Sequence, residues 1–141
     1  MLIDWSPAIN SDEAVLPDHR FVVAVYSRET VSNPPAGPIH AFEITKDWKE
    51  RVSWTNRPSY DPEPAATYKF EPGTGWKLFD ITPLVQAQAK AGRKGHGVLF
   101  RFLSEDLSSA KHSDYRCVSR EGSGEWEGRR PVLLVLKGAK P

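Results

Sequence analysis

The sequence predicts an all-β protein, a sandwich or barrel of short strands with one short helix. Short segments rich in β-branched and aromatic residues recur along the chain, and connectors rich in proline, glycine and asparagine separate them. Only one segment has both the composition and the end signals of a helix. Short strands at regular spacing, with turn signals between them, are typical of sandwiches and barrels.

The first strands flank a turn that is rich in proline. Residues 20–27 (RFVVAVYS) are almost all apolar and predict a mostly buried strand. Residues 32–38 (SNPPAGP) end it as a turn. Residues 39–44 (IHAFEI) then alternate apolar with polar or small residues, which predicts a strand with one face toward a core.

Six further strands are predicted. Before the helix they lie at residues 52–54, 67–70 and 76–81, and after it at residues 96–103, 115–119 and 132–136. The last segment, VLLVL, is apolar on both faces, so we expect it to be central in a sheet or covered.

The helix is predicted at about residues 83–91. Thr82 can cap its first turn, and Pro83 suits the first helical position. Gly92 can adopt the left-handed conformation that ends a helix. A single short helix is expected to cross over or cover a sheet.

Composition narrows the function classes. A chain of 141 residues has the size of one domain, here residues 1–141, and no apolar run approaches the ~20 residues that span a bilayer. A net charge of +1 predicts neither nucleic-acid binding nor membrane insertion. One cysteine and four scattered histidines exclude a disulfide and a Cys/His zinc site. We expect no cofactor, although a discontinuous calcium site remains an open alternative. The amino terminus lacks the pattern of a secretory signal, which indicates either an intracellular protein or a mature or excised part of a longer one.

No catalytic motif is present. Three acidic pairs lie in predicted turns, where carboxylates usually solvate a loop: Asp47 with Glu50, Asp61 with Glu63, and Glu105 with Asp106. The sequence contains no nucleophile elbow, phosphate-binding loop or His-Glu-x-x-His zinc motif. A protein without catalysis of its own is therefore expected.

Basic residues gather in the last third of the chain. They are Arg101, Lys111, Arg116, Arg120, Arg129 and Arg130. If the strands that carry them are neighbours, they form a positive face, and guanidinium groups bind carboxylates in a bidentate manner, so an acidic sugar such as a uronate is a sensible ligand. The alternative is that these residues pair with nearby acids at little energetic consequence.

Five segments follow one another in a characteristic order. They are WKERVSWTNRP (48–58), FDITPLVQ (79–86), GVLF (97–100), SRE (119–121) and RPVLLV (130–135). In this order they resemble the DNRLRE domain, a family of bacterial and archaeal extracellular modules that includes carbohydrate-binding module family 96. The resemblance covers residues 48–136 as the family-like core.

The resemblance implies a jelly-roll-like antiparallel β-sandwich that is extracellular or at the cell surface, with alginate-type acidic polysaccharide among its ligands. Its motif residues are expected to build the fold. We expect Trp54, Phe79 and Leu133 in the core, Asp80 in a turn, Thr82 as a cap, and Arg120 with Glu121 as a local ion pair or a loop anchor.

The leading hypothesis is a non-catalytic module that binds an acidic polysaccharide. Arg101, Lys111, Arg116 and Arg120 are the candidates for carboxylate contacts, and Trp76 and Tyr60 are the candidates for stacking on sugar rings.

Two alternatives stay open. Residues 2–6 (LIDWS) resemble a family strand that normally follows further strands, so the opening strands are expected to be missing and another protein chain to complete the sheet. If another chain completes the sheet, the protein is a structural or assembly subunit of an extracellular or cell-surface complex or filament. The other alternative is a small polysaccharide lyase that uses a tyrosine and an arginine, in which truncation of Tyr115 should abolish turnover.

Overall fold

The computed structural model describes residues 2–3, 18–30, 38–49, 55–69, 71, 73–102 and 115–138. These residues contain eight strands, one α-helix and one 3-10 helix. Before the α-helix lie β1 (Leu2–Ile3), β2 (His19–Thr30), β3 (Ile39–Glu43), β4 (Ala66–Tyr68) and β5 (Gly75–Asp80). The helix α1 (Thr82–Lys90), β6 (Val98–Phe102), β7 (Tyr115–Cys117), the 3-10 helix (Gly124–Arg129) and β8 (Val132–Lys137) follow.

The strands form two antiparallel sheets. The first sheet has the order β1-β6-β3-β4. In the second sheet, the long strand β2 pairs with β5 along one edge. Along its other edge β2 pairs with β8 through its first half and with β7 through its end. β2 is therefore the central strand of the second sheet in the described part of the chain.

The main core lies between the two sheets. Alternate residues of β2 point into it, namely Phe21, Val23 and Val25. Phe79 of β5 and Phe100 of β6 meet across it, with their ring centroids 4.6 Å apart. The other buried members are Ile39, Ala41, Ile81, Leu84, Val85 and Val98. The prediction of an all-β sandwich is confirmed, and Phe79 and the half-buried Leu133 lie in or against the core as expected.

The described strands lie close to their predicted positions, but the surroundings of β8 differ from the expectation. We expected this strand to be central or covered, because it is apolar on both faces. Instead it lies at an edge of the described part of the second sheet, where Leu133 and Val135 face the core. The alternate residues Val132, Leu134 and Leu136 face outward and are exposed. The predicted strand at residues 52–54, which includes Trp54, lies outside the described residues.

The helix ends as predicted, but it does not begin as predicted. Gly92 has a φ of 61°, and the N–H of Arg93 donates to the carbonyl of Gln88, which is the Schellman arrangement. At the other end the helix begins at Thr82 itself, its N-cap residue is Ile81, and no side chain makes a capping hydrogen bond there. The Thr82 hydroxyl oxygen accepts the N–H of Phe21 at 2.8 Å instead. Thr82 therefore ties the helix entry to β2, and its predicted role as a cap was wrong.

Asp80 forms the predicted turn just before the helix. Its Oδ1 accepts the N–H of Thr82 at 3.0 Å, and its backbone carbonyl accepts the hydroxyl of Tyr68 at 2.6 Å. Arg20 of β2 forms an ion pair with the same carboxylate. Burial acts to raise the pKa of Asp80, but interactions with Thr82 and Arg20 outweigh it and hold the pKa below its ordinary value. Burial, with the nearby Asp80 carboxylate, raises the pKa of Tyr68 well above its ordinary value.

Candidate functional site

The most developed surface feature lies on the outer face of the second sheet. Side chains alternate along β2, so Tyr26 and Arg28 face away from the core that Phe21, Val23 and Val25 fill. The register of β2 and β5 places Trp76 directly opposite Tyr26. Trp76 is 44% exposed, which is unusual for so large an apolar side chain.

Three aromatic rings meet at this position. The rings of Tyr26 and Trp76 have centroids 5.4 Å apart and are nearly perpendicular, at 85°. The ring of Trp126, from the 3-10 helix, lies 6.4 Å from that of Tyr26 on the other side. Such edge-to-face pairs are favourable because the positive edge of one ring meets the negative face of another.

Two arginines lie against these rings. The guanidinium carbon of Arg28 is 4.4 Å from the centroid of Trp126. The guanidinium carbon of Arg129 is 4.7 Å from the centroid of Tyr26 and 5.1 Å from that of Trp126. We call the five residues Tyr26, Arg28, Trp76, Trp126 and Arg129 the aromatic–arginine cluster.

A compact loop positions the 3-10 helix that carries Trp126 and Arg129. Gly122 approaches its neighbours so closely that an added Cβ would lie 2.7 Å from Cγ1 of Val118. The carbonyl of Gly122 accepts the Nε hydrogen of Arg130 at 2.8 Å, which ties the two ends of the loop together. Gly124 opens the helix with a φ of 59°, a conformation that favours glycine.

The arginines of this region differ in their partners. Arg120 forms the predicted pair with Glu121 at 3.2 Å, and Arg130 lies 3.8 Å from Glu127. Arg28 and Arg129 have no carboxylate within ion-pair distance among the residues that the structure describes. Their guanidinium groups lie against aromatic rings, and no carboxylate of the described residues neutralises their charge.

A second group lies on the outer face of the first sheet. Nη1 of Arg101, on β6, donates to the hydroxyl of Tyr60 at 2.7 Å. The guanidinium carbons of Arg101 and Arg57 each lie 5.9 Å from the centroid of the Tyr60 ring. The structure therefore brings together two of the predicted site residues, Arg101 and Tyr60.

Much of this second group belongs to a small apolar cluster. Tyr60 and Trp48 pack over the buried side chains of Phe42, Ile44 and Leu99. The indole N–H of Trp48 donates to the carbonyl of His96 at 2.7 Å. Trp48 and Tyr60 thus cover part of the outer face of the first sheet, and Tyr60 is a packing residue.

The six predicted site residues do not form one surface. Arg101 and Tyr60 lie on the first sheet, and Trp76 lies on the second. The expected positive face needed the strands of Arg101 and Arg116 to be neighbours, but β6 and β7 belong to different sheets. Arg120 lies in the exposed turn before the 3-10 helix. Lys111 lies outside the described residues.

Sequence reasoning missed Tyr26, Arg28 and Trp126. A partial signal existed, because the alternation along β2 puts Tyr26 and Arg28 on one face, opposite the apolar residues. The pairing of β2 with β5 and the placement of the 3-10 helix, which complete the cluster, have no short-range signature in the sequence.

Of the three acidic pairs, only Asp61 with Glu63 lies wholly within the described residues, because Glu50, Glu105 and Asp106 lie outside them. Asp61 accepts the N–H of Glu63 at 3.0 Å, the expected loop role. Asp47 pairs with His96 at 2.9 Å and Lys94 at 3.4 Å, and hydrogen bonds from these two lower its pKa. Among the described residues, no group of three or more His, Cys, Asp or Glu side chains could hold a metal ion. None of the described helices has the length and the apolar character that a membrane span requires.

Comparison with known proteins gives one match. A family model described as carbohydrate-binding module family 96 matches residues 10–134, a range that includes all five residues of the aromatic–arginine cluster. No curated protein and no solved structure matches the chain at a significant level.

Proposed function

The chain belongs to carbohydrate-binding module family 96, and on this premise we propose that it binds an acidic polysaccharide at the aromatic–arginine cluster without catalysing a reaction. The observation that carries the proposal is the exposed ring of Trp76 against Tyr26, with the guanidinium group of Arg129 over the same tyrosine ring and that of Arg28 over Trp126. Neither guanidinium group has a carboxylate partner among the described residues. A carbohydrate ligand follows from the family, and the acidic class of ligand follows from this charge.

Trp76 supplies the stacking surface. Sugar rings present apolar C–H faces, and an exposed indole buries such a face while leaving the hydroxyl groups in water. The edge contact with Tyr26 fixes the Trp76 ring, so little side-chain entropy is lost when a sugar binds.

Arg28 and Arg129 supply the charge. A guanidinium group that lies against an aromatic ring keeps its planar edge of N–H donors available for a carboxylate, which it binds in a bidentate manner. Arg129 is half-buried between two rings, so its position is set before a ligand arrives. A uronate that stacks on Trp76 could therefore place its carboxylate toward these donors.

This arrangement favours a polysaccharide of uronic acids over a neutral glucan. A neutral chain would stack on Trp76 but would leave the two guanidinium groups without new partners. An extracellular or cell-surface location, where such polysaccharides occur, is part of the proposal.

Affinity electrophoresis in gels that contain alginate, pectin or a neutral glucan tests the proposal. We expect retardation by an acidic polysaccharide and little by the glucan. Trp76→Ala and Arg28→Gln should each weaken binding by roughly 10-fold or more, the effect of losing ~1.4 kcal/mol.

Arg120→Gln is the matched control, because Arg120 is exposed and already paired with Glu121. It should bind like the unmodified protein. A folded sample that no acidic polysaccharide retards would refute the proposed ligand. Equal losses in Arg28→Gln and Arg120→Gln would refute the proposed position of the site.

A further inference from the structure

The outer face of the second sheet continues beyond the aromatic–arginine cluster as an exposed aliphatic surface. Leu78 of β5 is 61% exposed, and Val132, Leu134 and Leu136 of β8 are 45%, 37% and 47% exposed. The register places all four beside the outward residues of β2, in one continuous patch. We call these four residues the aliphatic face.

The aliphatic face has one protruding side chain beside two nearly buried residues. Ala24 and Val22 point outward between β5 and β8, yet they are only 4% and 6% exposed, because larger side chains stand on both sides of them. Leu78 is directly opposite Ala24 in the register and is the most exposed of the four. A protruding leucine therefore stands next to a shallow apolar floor.

The charges on this part of the sheet neutralise each other. The outward positions of β2, β5 and β8 beside the floor include two charged residues, Arg20 and Asp80, and these two form an ion pair. Covering the face thus leaves no unpaired charge from these positions. The same neutrality offers no attraction to an acidic polysaccharide or to an anionic membrane.

The exposed area matches the apolar share of a small protein interface. The four side chains leave roughly 300–350 Å² of aliphatic surface in water, comparable to the largest and often functional patch of a monomer. An interface of ~1,200 Å² that is ~57% apolar takes about 340 Å² of apolar surface from each partner. The aliphatic face alone supplies that amount.

We propose that the aliphatic face binds the same face of a second copy of this chain, forming a two-fold symmetric dimer. A two-fold axis sets Leu78 of each copy against the aliphatic face of the other, so one patch supplies both sides of the contact. The two sheets would pack ~10 Å apart, as the layers of a sandwich do. The net charge of +1 does not oppose the association.

The aliphatic face contains none of the five residues of the aromatic–arginine cluster, but Trp76 lies two positions before Leu78 on the same side of β5, so we expect the dimer to compete with polysaccharide binding. The dimer agrees with the assembly subunit that was expected as an alternative from the sequence. Its contact, however, lies on a sheet face and not on a sheet edge.

Sedimentation velocity over 1–200 µM protein tests the dimer. The unmodified chain should shift from the monomer mass to twice that mass within this range, as expected of a small interface. Leu78→Glu should remain a monomer throughout, with self-association weakened at least ~100-fold, because it buries an unpaired charge at the centre of the contact.

Ala87→Glu is the matched control, since it introduces the same charge at an exposed position on α1. It should dimerise like the unmodified chain, and circular dichroism should show that both variants are folded. Leu136→Glu, at the other end of the face, should also prevent the dimer.

Three outcomes would overturn the proposal. The unmodified chain could stay a monomer at 200 µM, or Leu78→Glu and Leu136→Glu could both dimerise normally. In the third outcome Leu78→Glu loses polysaccharide binding while the unmodified chain stays monomeric, which would assign the aliphatic face to the ligand.

Discussion

Replacing Thr82 by valine tests the link between the helix entry and β2. The Thr82 hydroxyl oxygen accepts the backbone N–H of Phe21 at 2.8 Å, and Phe21 is fully buried. Valine has nearly the same shape but cannot accept this hydrogen bond. The buried N–H then loses its partner, which costs about 1–3 kcal/mol in the free energy of unfolding.

Urea denaturation followed by tryptophan fluorescence measures this loss. With an m-value of ~2 kcal/mol/M, a loss of ~2 kcal/mol lowers the midpoint by about 1 M. Thr82→Ser keeps the hydroxyl and should retain most of the stability. Thr74→Val is the control, because the Thr74 hydroxyl donates to the carbonyl of Arg28 at an exposed site where water can replace it, so we expect a change within ~0.5 kcal/mol.

The comparison between these variants decides the role of Thr82. If Thr82→Ser lost as much as Thr82→Val, the hydroxyl would not be the stabilising group. If Thr74→Val lost as much as Thr82→Val, burial of the Phe21 N–H would have no special cost, and the reasoning would be wrong.

Three further predictions concern the core, the pH dependence and the loop. Phe79→Ala removes a ring from the contact between the sheets and should lower the free energy of unfolding by about 3–5 kcal/mol in the same urea assay. The pKa of Asp80 is lowered in the folded state, so its carboxylate stabilises the fold at pH values above the unfolded-state pKa of ~4. This contribution is lost as the pH falls through the folded-state pKa. Asp80→Asn should therefore destabilise the protein at pH 7 and have a smaller effect at pH 2.5, and a constant difference between the two pH values would contradict the assignment. Gly122→Ala should displace the 3-10 helix, since its Cβ would meet Val118 at 2.7 Å, and should weaken both stability, by about 1–3 kcal/mol, and polysaccharide retardation.

Much of the fold was predictable because strand signals are local. The apolar run of β2 and the alternation of β3 depend on side-chain periods of a few residues, and the helix end depends on a glycine with positive φ. The error at β8 has a physical reason as well. The sequence of a strand that is apolar on both faces is the same whether its outer face packs against another part of the molecule or is exposed to water.

The candidate site was predictable only in part, because it depends on pairing between distant segments. Trp76 was identified from its residue type, but Tyr26 joins it through the register of β2 and β5. Trp126 and Arg129 arrive on a short 3-10 helix whose position depends on Gly122. Thr82 was misassigned for a similar reason, since its partner Phe21 lies 61 positions earlier in the chain.

The pairing of β2 with β8 has a consequence for how the protein forms during synthesis. Arg20 pairs with Leu136, and Val22 pairs with Leu134, so more than one hundred residues separate the partners. Contacts so distant along a chain close slowly, and they cannot form until both segments have left the ribosome. The early strand β2 can pair with β5 first, but its other edge waits for more than one hundred further residues before β8 is available. During that interval the edge of β2 that β8 covers is unpaired, and an unpaired strand edge favours aggregation.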